Sequence, residues 1–489
     1  MTSFDEIIII DKAINIPVYM QITNSVIHNI RRGILRSGLK LPGARELAKI
    51  LKIHRKTLQT AYDELMAQGW VEIIPRKGTF IVRDLPEIKP SKIPFSQRLS
   101  GYPERTAFSI DTNKIPDFPA SNMQYSKELI LDDGLPDIRL APTELLMKEY
   151  RGLSKLTAFK KYYRYGGPKG AAYLLETLSV YLNETRGLAI SENNILITKG
   201  AQMGIYLAAK LLLKPGDNVI VGEPGYFAAV ITFRQADAAI NRVPIDEHGI
   251  DVDQIEKLCN KKKIKLLYVI PHHHYPTTVT LIPERRMRLL ELAAHYKFAI
   301  IEDDYDYDFH YNSSPVLPIA SLDQHGNTIY IGTLTKTFVP AIRIGFVIAP
   351  ENYINAVSNL RRAIDWQGDS MMEVAMAQLY KNGTIERHIK KAVKLYRERR
   401  DYFCTQLKNK IGEHIFFNIP DGGMAVWAKF KGIDLKLVAG RAAGKGLIMN
   451  NGTLYNSINK DYNATRLGFA SLNLNEQDKA IEILKDSLL

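Results

Sequence analysis

The chain has 489 residues, is 46% hydrophobic and 24% charged, and carries a formal net charge of +13. It is long enough for at least two cores and has no apolar run able to span a bilayer. It opens on an acidic Met1-Thr2-Ser3-Phe4-Asp5-Glu6 rather than a basic signal-peptide start. Only Cys259 and Cys404 are present, far apart, which excludes a disulfide framework and a cysteine zinc site and fits a reducing cytoplasm.

The charge is uneven. Residues 1–83 hold 13 Lys and Arg against 7 Asp and Glu, a net of +6 in about one sixth of the chain. A basic surface can serve solubility alone, but concentration in one small segment favours nucleic acid. Ile22, Val26 and Ile30, with Tyr19 ahead of them, recur at helical spacing, and Gly33 and Gly38 end that helix. After the turn Leu41-Pro42-Gly43, residues 44–51 predict a second helix. A third follows Lys52-Ile53, with Leu58, Ala61, Tyr62, Leu65 and Met66 on its buried side and Gly69 as its stop. Residues 71–82 predict a hairpin with a basic tip.

Short helices followed by a β-wing make a winged helix-turn-helix, whose third helix enters the major groove by its N-terminal end. His54, Arg55, Lys56 and Thr57 fall at that end, Arg45 opens the second helix where a phosphate contact is natural, and Arg76 and Lys77 sit on the wing. A helical protein-interaction module with solvated charges is the competing reading. It does not explain why the basic residues gather on both the recognition end and the wing. Leu41-Pro42, Arg45-Glu46-Leu47-Ala48, Arg55-Lys56-Thr57, Ala61-Tyr62, Leu65, Gly69-Trp70 and Lys77-Gly78-Thr79-Phe80 resemble the GntR winged-helix family. The family usually has serine at the positions of Gly43 and His54, and losing a hydroxyl cap costs about 1 kcal/mol.

Residues 84–125 read as a linker. Pro86, Pro90, Pro94, Pro103, Pro116 and Pro119 lie among Lys, Ser and Asp, and no apolar period persists. Within 126–489, Asp133-Gly134-Leu135-Pro136-Asp137 and Tyr165-Gly166-Gly167-Pro168-Lys169-Gly170 read as turn-rich loops. A helix at 171–185 leads into alternating strands (195–198, 218–221, 266–270, 299–302, 328–331) and helices. That alternation predicts an α/β domain with a mainly parallel sheet, and the tail from about Met371 a smaller α+β lobe.

Chemistry concentrates at strand ends, where open α/β sheets bind ligands. Lys199-Gly200-Ala201-Gln202 opens a helix whose free N–H groups suit a phosphate. Gly222-Glu223-Pro224-Gly225-Tyr226 offers an aromatic for stacking on a flat ring. Pro271-His272-His273-His274-Tyr275 invites a metal, but consecutive side chains diverge, so no metal site is expected. In Glu302-Asp303-Asp304-Tyr305, strand alternation puts Asp303 and Tyr305 on one face and Asp304 on the other. In Gly332-Thr333-Leu334-Thr335-Lys336, small and hydroxyl residues precede one lysine. Arg343 then stands inside the apolar run 342–348, where it needs an anion. Arg466 is a lone arginine in an apolar strand of the tail, suited to grip a carboxylate. Alone, each has a plain reading as a surface lysine, an acidic turn or an internal salt bridge.

Their order resembles fold-type I aminotransferases that use pyridoxal 5'-phosphate (PLP). With the winged helix in front, the whole chain is similar to the MocR subfamily of GntR-type regulators. The resemblance implies that Lys336 is the Schiff-base lysine, Asp303 the partner of the pyridine nitrogen, Tyr305 that of the phenolic oxygen and Tyr226 the stacking ring. It implies a phosphate cup of Gly200, Ala201, Gln202, Thr333, Thr335 and Arg343, with Arg466 for an amino acid's carboxylate. It further implies a double-stranded DNA operator, a head-to-tail homodimer, no membrane association and a place in the bacterial cytoplasm on the nucleoid. Departures from the family pattern at Leu175, Lys199, Thr278 and Ala425 bear on which amino compound is bound. A regulator sensing PLP or an amino compound, an active aminotransferase carrying a DNA-binding domain, and a scaffold that only dimerises are the three resulting expectations.

Overall fold

The computed structural model describes residues 4–11, 16–83, 105–112, 115, 129–311, 316–457 and 460–489. The chain forms two compact units, Met1–Ile110 and Asp111–Leu489. Apart from residues 105–112 and 115, the expected tether at 84–125 lies outside the described residues.

In the first unit, a short helix Phe4–Ile7 precedes the helices Val18–Arg31, Ala44–Ile50 and Arg55–Ala67, and the strands β1 (Val71–Ile74) and β2 (Gly78–Ile81) pair antiparallel. Ile22, Val26, Leu47, Leu58, Leu65 and Ile81 close one core. Leu58 and Leu65 are fully buried, each contributing about 2–3 kcal/mol. Met66 is exposed, contrary to the sequence expectation. It lies one residue past Leu65, about 100° around the helix from the buried stripe. Gly69 ends this helix at φ +74°, a left-handed conformation that suits glycine. His54 caps the same helix after all: its Nδ1 accepts the Lys56 N–H at 3.2 Å, so an imidazole does the work expected of a hydroxyl.

In the second unit, β3 (Leu129–Leu131) stands apart from the large sheet, which begins with β4 (Ile195–Thr198), β5 (Asn218–Glu223), β6 (Ala239–Asp246) and β7 (Gly249–Ile250). It continues with β8 (Ile264–Val269), β9 (Ala299–Asp304), β10 (Thr328–Thr333) and β11 (Gly345–Ile348), in the spatial order β4-β11-β10-β9-β8-β5-β6-β7. Strands β10, β9, β8, β5 and β6 are mutually parallel, while β11 runs antiparallel to both β10 and β4. The carboxyl ends of β4, β5, β8, β9 and β10 therefore open on one edge. Buried runs such as Ile195-Leu196-Ile197 and Ile300-Ile301 carry no alternation because helices cover both faces.

A smaller lobe contains the 28-residue helix Thr384–Ile411 and an antiparallel sheet of β12 (Ile415–Phe416), β13 (Ala425–Phe430) and, after β14 (Leu447–Met449), β15 (Ala464–Gly468). Strand β14 pairs parallel with β3, which stitches the start of the unit into this lobe. No described helix is long and apolar enough to cross a membrane.

Candidate cofactor and amino-compound site

An open cavity of about 210 Å³ lies at the carboxyl edge of the large sheet, lined by Asp133, Ala201, Gln202, Tyr226, Tyr275, Asp303, Tyr305, Thr333, Thr335, Lys336, Arg343 and Arg466 among others. Of the residues the sequence marks for the cofactor or the carboxylate, all but Gly200 line it, and Gly200 opens the helix that does. At Gly200 φ is +83°, and a Cβ there would come within 2.7 Å of the Arg343 guanidinium. Glycine thus lets Arg343 cross the N-terminus of the helix Ala201–Leu212. Arg343 Nη2 donates to the Lys199 carbonyl at 2.8 Å. The Thr333 hydroxyl donates to Thr335 Oγ1 at 2.9 Å and accepts the Thr335 N–H at 3.2 Å. Helix N–H groups, two hydroxyls and a guanidinium make an anion cradle. Arg343 is not embedded in a strand as expected. It is exposed, at φ +50° before β11, so its charge is solvated and needs no buried ion pair.

Asp303 ends in the cavity as strand alternation requires. Its Oδ2 accepts the Tyr268 hydroxyl at 2.6 Å, while Oδ1 is buried with no partner among the described residues. Burial pushes this carboxyl up to about 7. Asp304 points the other way, to Tyr330 and His272. The Tyr305 hydroxyl donates to the His273 carbonyl at 2.8 Å, so its single hydrogen is held there. The three histidine rings diverge, His272 to Asp304, His273 to Asp306 and His274 to Thr277. Among the described residues no group of three or more His, Cys, Asp or Glu could hold a metal ion.

Lys336 Nζ donates to the Gly134 carbonyl at 2.7 Å and lies 5.9 Å from the Tyr305 ring centre. Burial lowers its pKa, which raises the share of neutral, nucleophilic amine. Arg466 is buried without a carboxylate in ion-pair range among the described residues. Its Nε donates to the Asp133 carbonyl at 2.7 Å, its Nη1 to the Pro276 carbonyl at 3.2 Å, and its guanidinium lies 4.9 Å over the Tyr275 ring. Tyr226 meets Tyr275 edge to face at 5.2 Å.

Sequence reasoning missed the turn 132–137, read only as punctuation. Asp132 Oδ1 accepts the N–H groups of Gly134 and Leu135, its Oδ2 accepts Ser471 Oγ at 2.5 Å, and Arg399 holds Asp137 at 2.9 Å. The turn so fixed offers the Gly134 carbonyl to Lys336 and the Asp133 carbonyl to Arg466. Its runs of Asp, Gly and Pro signal a turn, and nothing local signals those partners. Tyr268, inside an apolar strand, was missed for the same reason.

In the first unit, Arg45, His54, Arg55, Lys56, Arg76 and Lys77 are exposed and Thr57 is half-buried. Arg76 stands at φ +62° at the tip of the wing. Arg55, Lys56 and Thr57 form the first turn of the helix Arg55–Ala67, the end that a recognition helix directs at bases.

Residues 133–484 match the family Aminotransferase class I and II, and residues 18–81 match Bacterial regulatory proteins, gntR family. The uncharacterized HTH-type transcriptional regulator YdfD of Bacillus subtilis is 29% identical over 95% of both chains. The probable rhizopine catabolism regulatory protein MocR of Rhizobium meliloti is 24% identical over 90% of this chain and 87% of its own. The crystal structure of Pyrococcus horikoshii kynurenine aminotransferase, complexed with PMP, superposes with a TM-score of 0.71 at 29% identity, covering 78% of this chain and 96% of that one. The chain belongs to the aminotransferase class I and II family, joined behind a gntR-type DNA-binding domain in the manner of the MocR-type regulators.

Proposed function

We propose that this protein is a PLP-dependent transcriptional regulator, binding DNA through residues 14–83 and sensing PLP, alone or joined to an amino compound, through residues 126–489, with 84–125 as the linker. The observation that carries the reading is Asp303 Oδ1, which has no partner among the described residues and is buried in the same cavity as Lys336 and the anion cradle. A buried carboxylate oxygen is costly unless a cation meets it, and a protonated ring nitrogen is such a cation. The residues present fit PLP: Asp303 for the ring nitrogen, Tyr226 against the ring face, Thr333, Thr335, Arg343 and the helix start at Gly200-Ala201-Gln202 for the phosphate, and Lys336 for the aldehyde. Tyr305 would reach the phenolic oxygen once its hydroxyl leaves the His273 carbonyl. Arg466 receives a carboxylate.

Bound PLP supplies an aldehyde that captures amino groups and a ring that withdraws electrons from what it captures. The chain's own part is to hold the phosphate, keep the ring nitrogen protonated and move a proton at Lys336 Nζ. That last ability supports a second reading, an active aminotransferase carrying a DNA-binding domain, which the likeness to kynurenine aminotransferase also favours. Arg45, His54, Arg55, Lys56, Thr57, Arg76 and Lys77 are the proposed DNA contacts. A head-to-tail dimer working in the cytoplasm completes the proposal. The test is an absorbance spectrum of purified protein with PLP, followed by DNA-binding titrations with and without it. A visible band together with a PLP-dependent change in DNA affinity supports the regulator. No band overturns the cofactor assignment, and turnover with a keto acid would establish the enzyme reading.

A further inference from the structure

Among the described residues, five charged side chains line the cavity: Asp133, Asp303, Lys336, Arg343 and Arg466. On the reading above, three are engaged by PLP, namely Asp303, Arg343 and Lys336. Arg466 is left for one carboxylate, and Asp133 has no assigned work. Its side chain is half-buried, and its Oδ2 accepts the Tyr275 hydroxyl at 3.1 Å. The Arg466 guanidinium lies 4.9 Å over the face of that same ring. Tyr275 therefore touches both the acid and the guanidinium. Among the described residues neither charge forms an ion pair, which leaves each to a ligand. The turn that carries Asp133 is pinned on both sides, by Asp132 to Ser471 and by Asp137 to Arg399, so the carboxylate has little freedom to withdraw.

A ligand that satisfies this pattern bears one carboxylate and, besides the amino group that reacts, a second positive charge. Among the described residues of this chain the cavity offers a second carboxylate no further arginine, and such a group would meet the like charge of Asp133. We propose that Asp133 is a specificity-determining residue that selects α-amino acids carrying a second cationic group and refuses amino dicarboxylates. This rests on the reading of the cavity as a PLP site. The competing account makes Asp133 only a counter-charge for Lys336, and predicts no discrimination among amino acids.

The experiment uses the full chain with PLP, titrated with L-2,4-diaminobutyrate, L-ornithine and L-lysine, their neutral counterpart L-norvaline, and L-glutamate. Binding is followed by the visible spectrum and by calorimetry. At least one diamino acid is expected to bind about tenfold more tightly than norvaline, the gain of one hydrogen bond between charged groups, and glutamate more weakly than norvaline. In Asp133→Asn the ratio of diamino acid to norvaline should collapse to about one, and the penalty on glutamate should shrink. Equal wild-type affinities for diamino acids and norvaline overturn the proposal, and that series needs no variant. A ratio that survives in Asp133→Asn overturns it as well, as does a PLP band that none of the compounds shifts. Absence of any PLP band instead overturns the cofactor reading.

Discussion

Replacing Asp303 with asparagine should move two properties in opposite directions. The native carboxyl keeps its proton to about pH 7 because burial disfavours the anion. An aspartate in the unfolded chain ionises at about pH 4. Between those values the native state binds the extra proton, so the stability of the cofactor-free protein falls as pH rises through the window. A displacement of about three pH units corresponds to about 4 kcal/mol. Asparagine keeps the shape and the acceptor for Tyr268 and never carries the charge. Asp303→Asn should therefore match the wild type at about pH 4 and exceed its stability by about 4 kcal/mol at about pH 8. Glu302, also pushed up by burial, to about 8, titrates in both proteins and cancels in the difference. PLP binding responds with the other sign, because asparagine cannot pair with a protonated ring nitrogen, and affinity should fall by about tenfold or more. Urea unfolding of both cofactor-free proteins across this pH range, with a PLP titration at the upper end, measures both effects. A stability difference that does not change with pH, or undiminished PLP affinity in the variant, would refute the reasoning.

Lys336→Ala should remove any borohydride-fixed PLP adduct from the peptide containing residue 336 while leaving the far-ultraviolet spectrum unchanged; an adduct persisting there would refute the lysine's role. Arg55→Ala and Lys56→Ala should each weaken double-stranded DNA binding and reduce the slope of log affinity against log salt by about 1, with unchanged anisotropy titrations counting against the recognition-helix placement. His54→Ala should destabilise the first unit by about 1 kcal/mol, and His54→Ser should recover most of that loss. Thermal unfolding reads both, and an unchanged His54→Ala would mean that the cap at Lys56 contributes nothing.

What was legible in the chain follows the reach of each signal. Lys336, Asp303 and Gly200 could be found because each breaks a local pattern: a charge or a glycine at the end of an apolar run. The winged helix was legible because its core residues recur at helical spacing within a few turns. Met66 misled because an apolar residue beside the buried stripe looks like part of it. Arg343 misled because an apolar run on both sides looks like a strand, whereas the chain turns through a left-handed residue there before β11 begins. The contacts of Gly134 with Lys336, 202 residues away, and of Tyr268 with Asp303, 35 residues away, leave no trace in local periodicity. The second follows from the parallel pairing of β8 and β9, and the first from a turn that follows β3, outside the large sheet.

Strand β3 and the turn after it set the reactive nitrogen close, along the chain, to the point where the small lobe takes hold of the backbone. The backbone is stitched to the small lobe at Leu129–Leu131, and five residues past Leu129 the Gly134 carbonyl grips the reactive nitrogen. Whatever engages Lys336 takes that nitrogen from the carbonyl and so loosens a tie at the threshold of the domain.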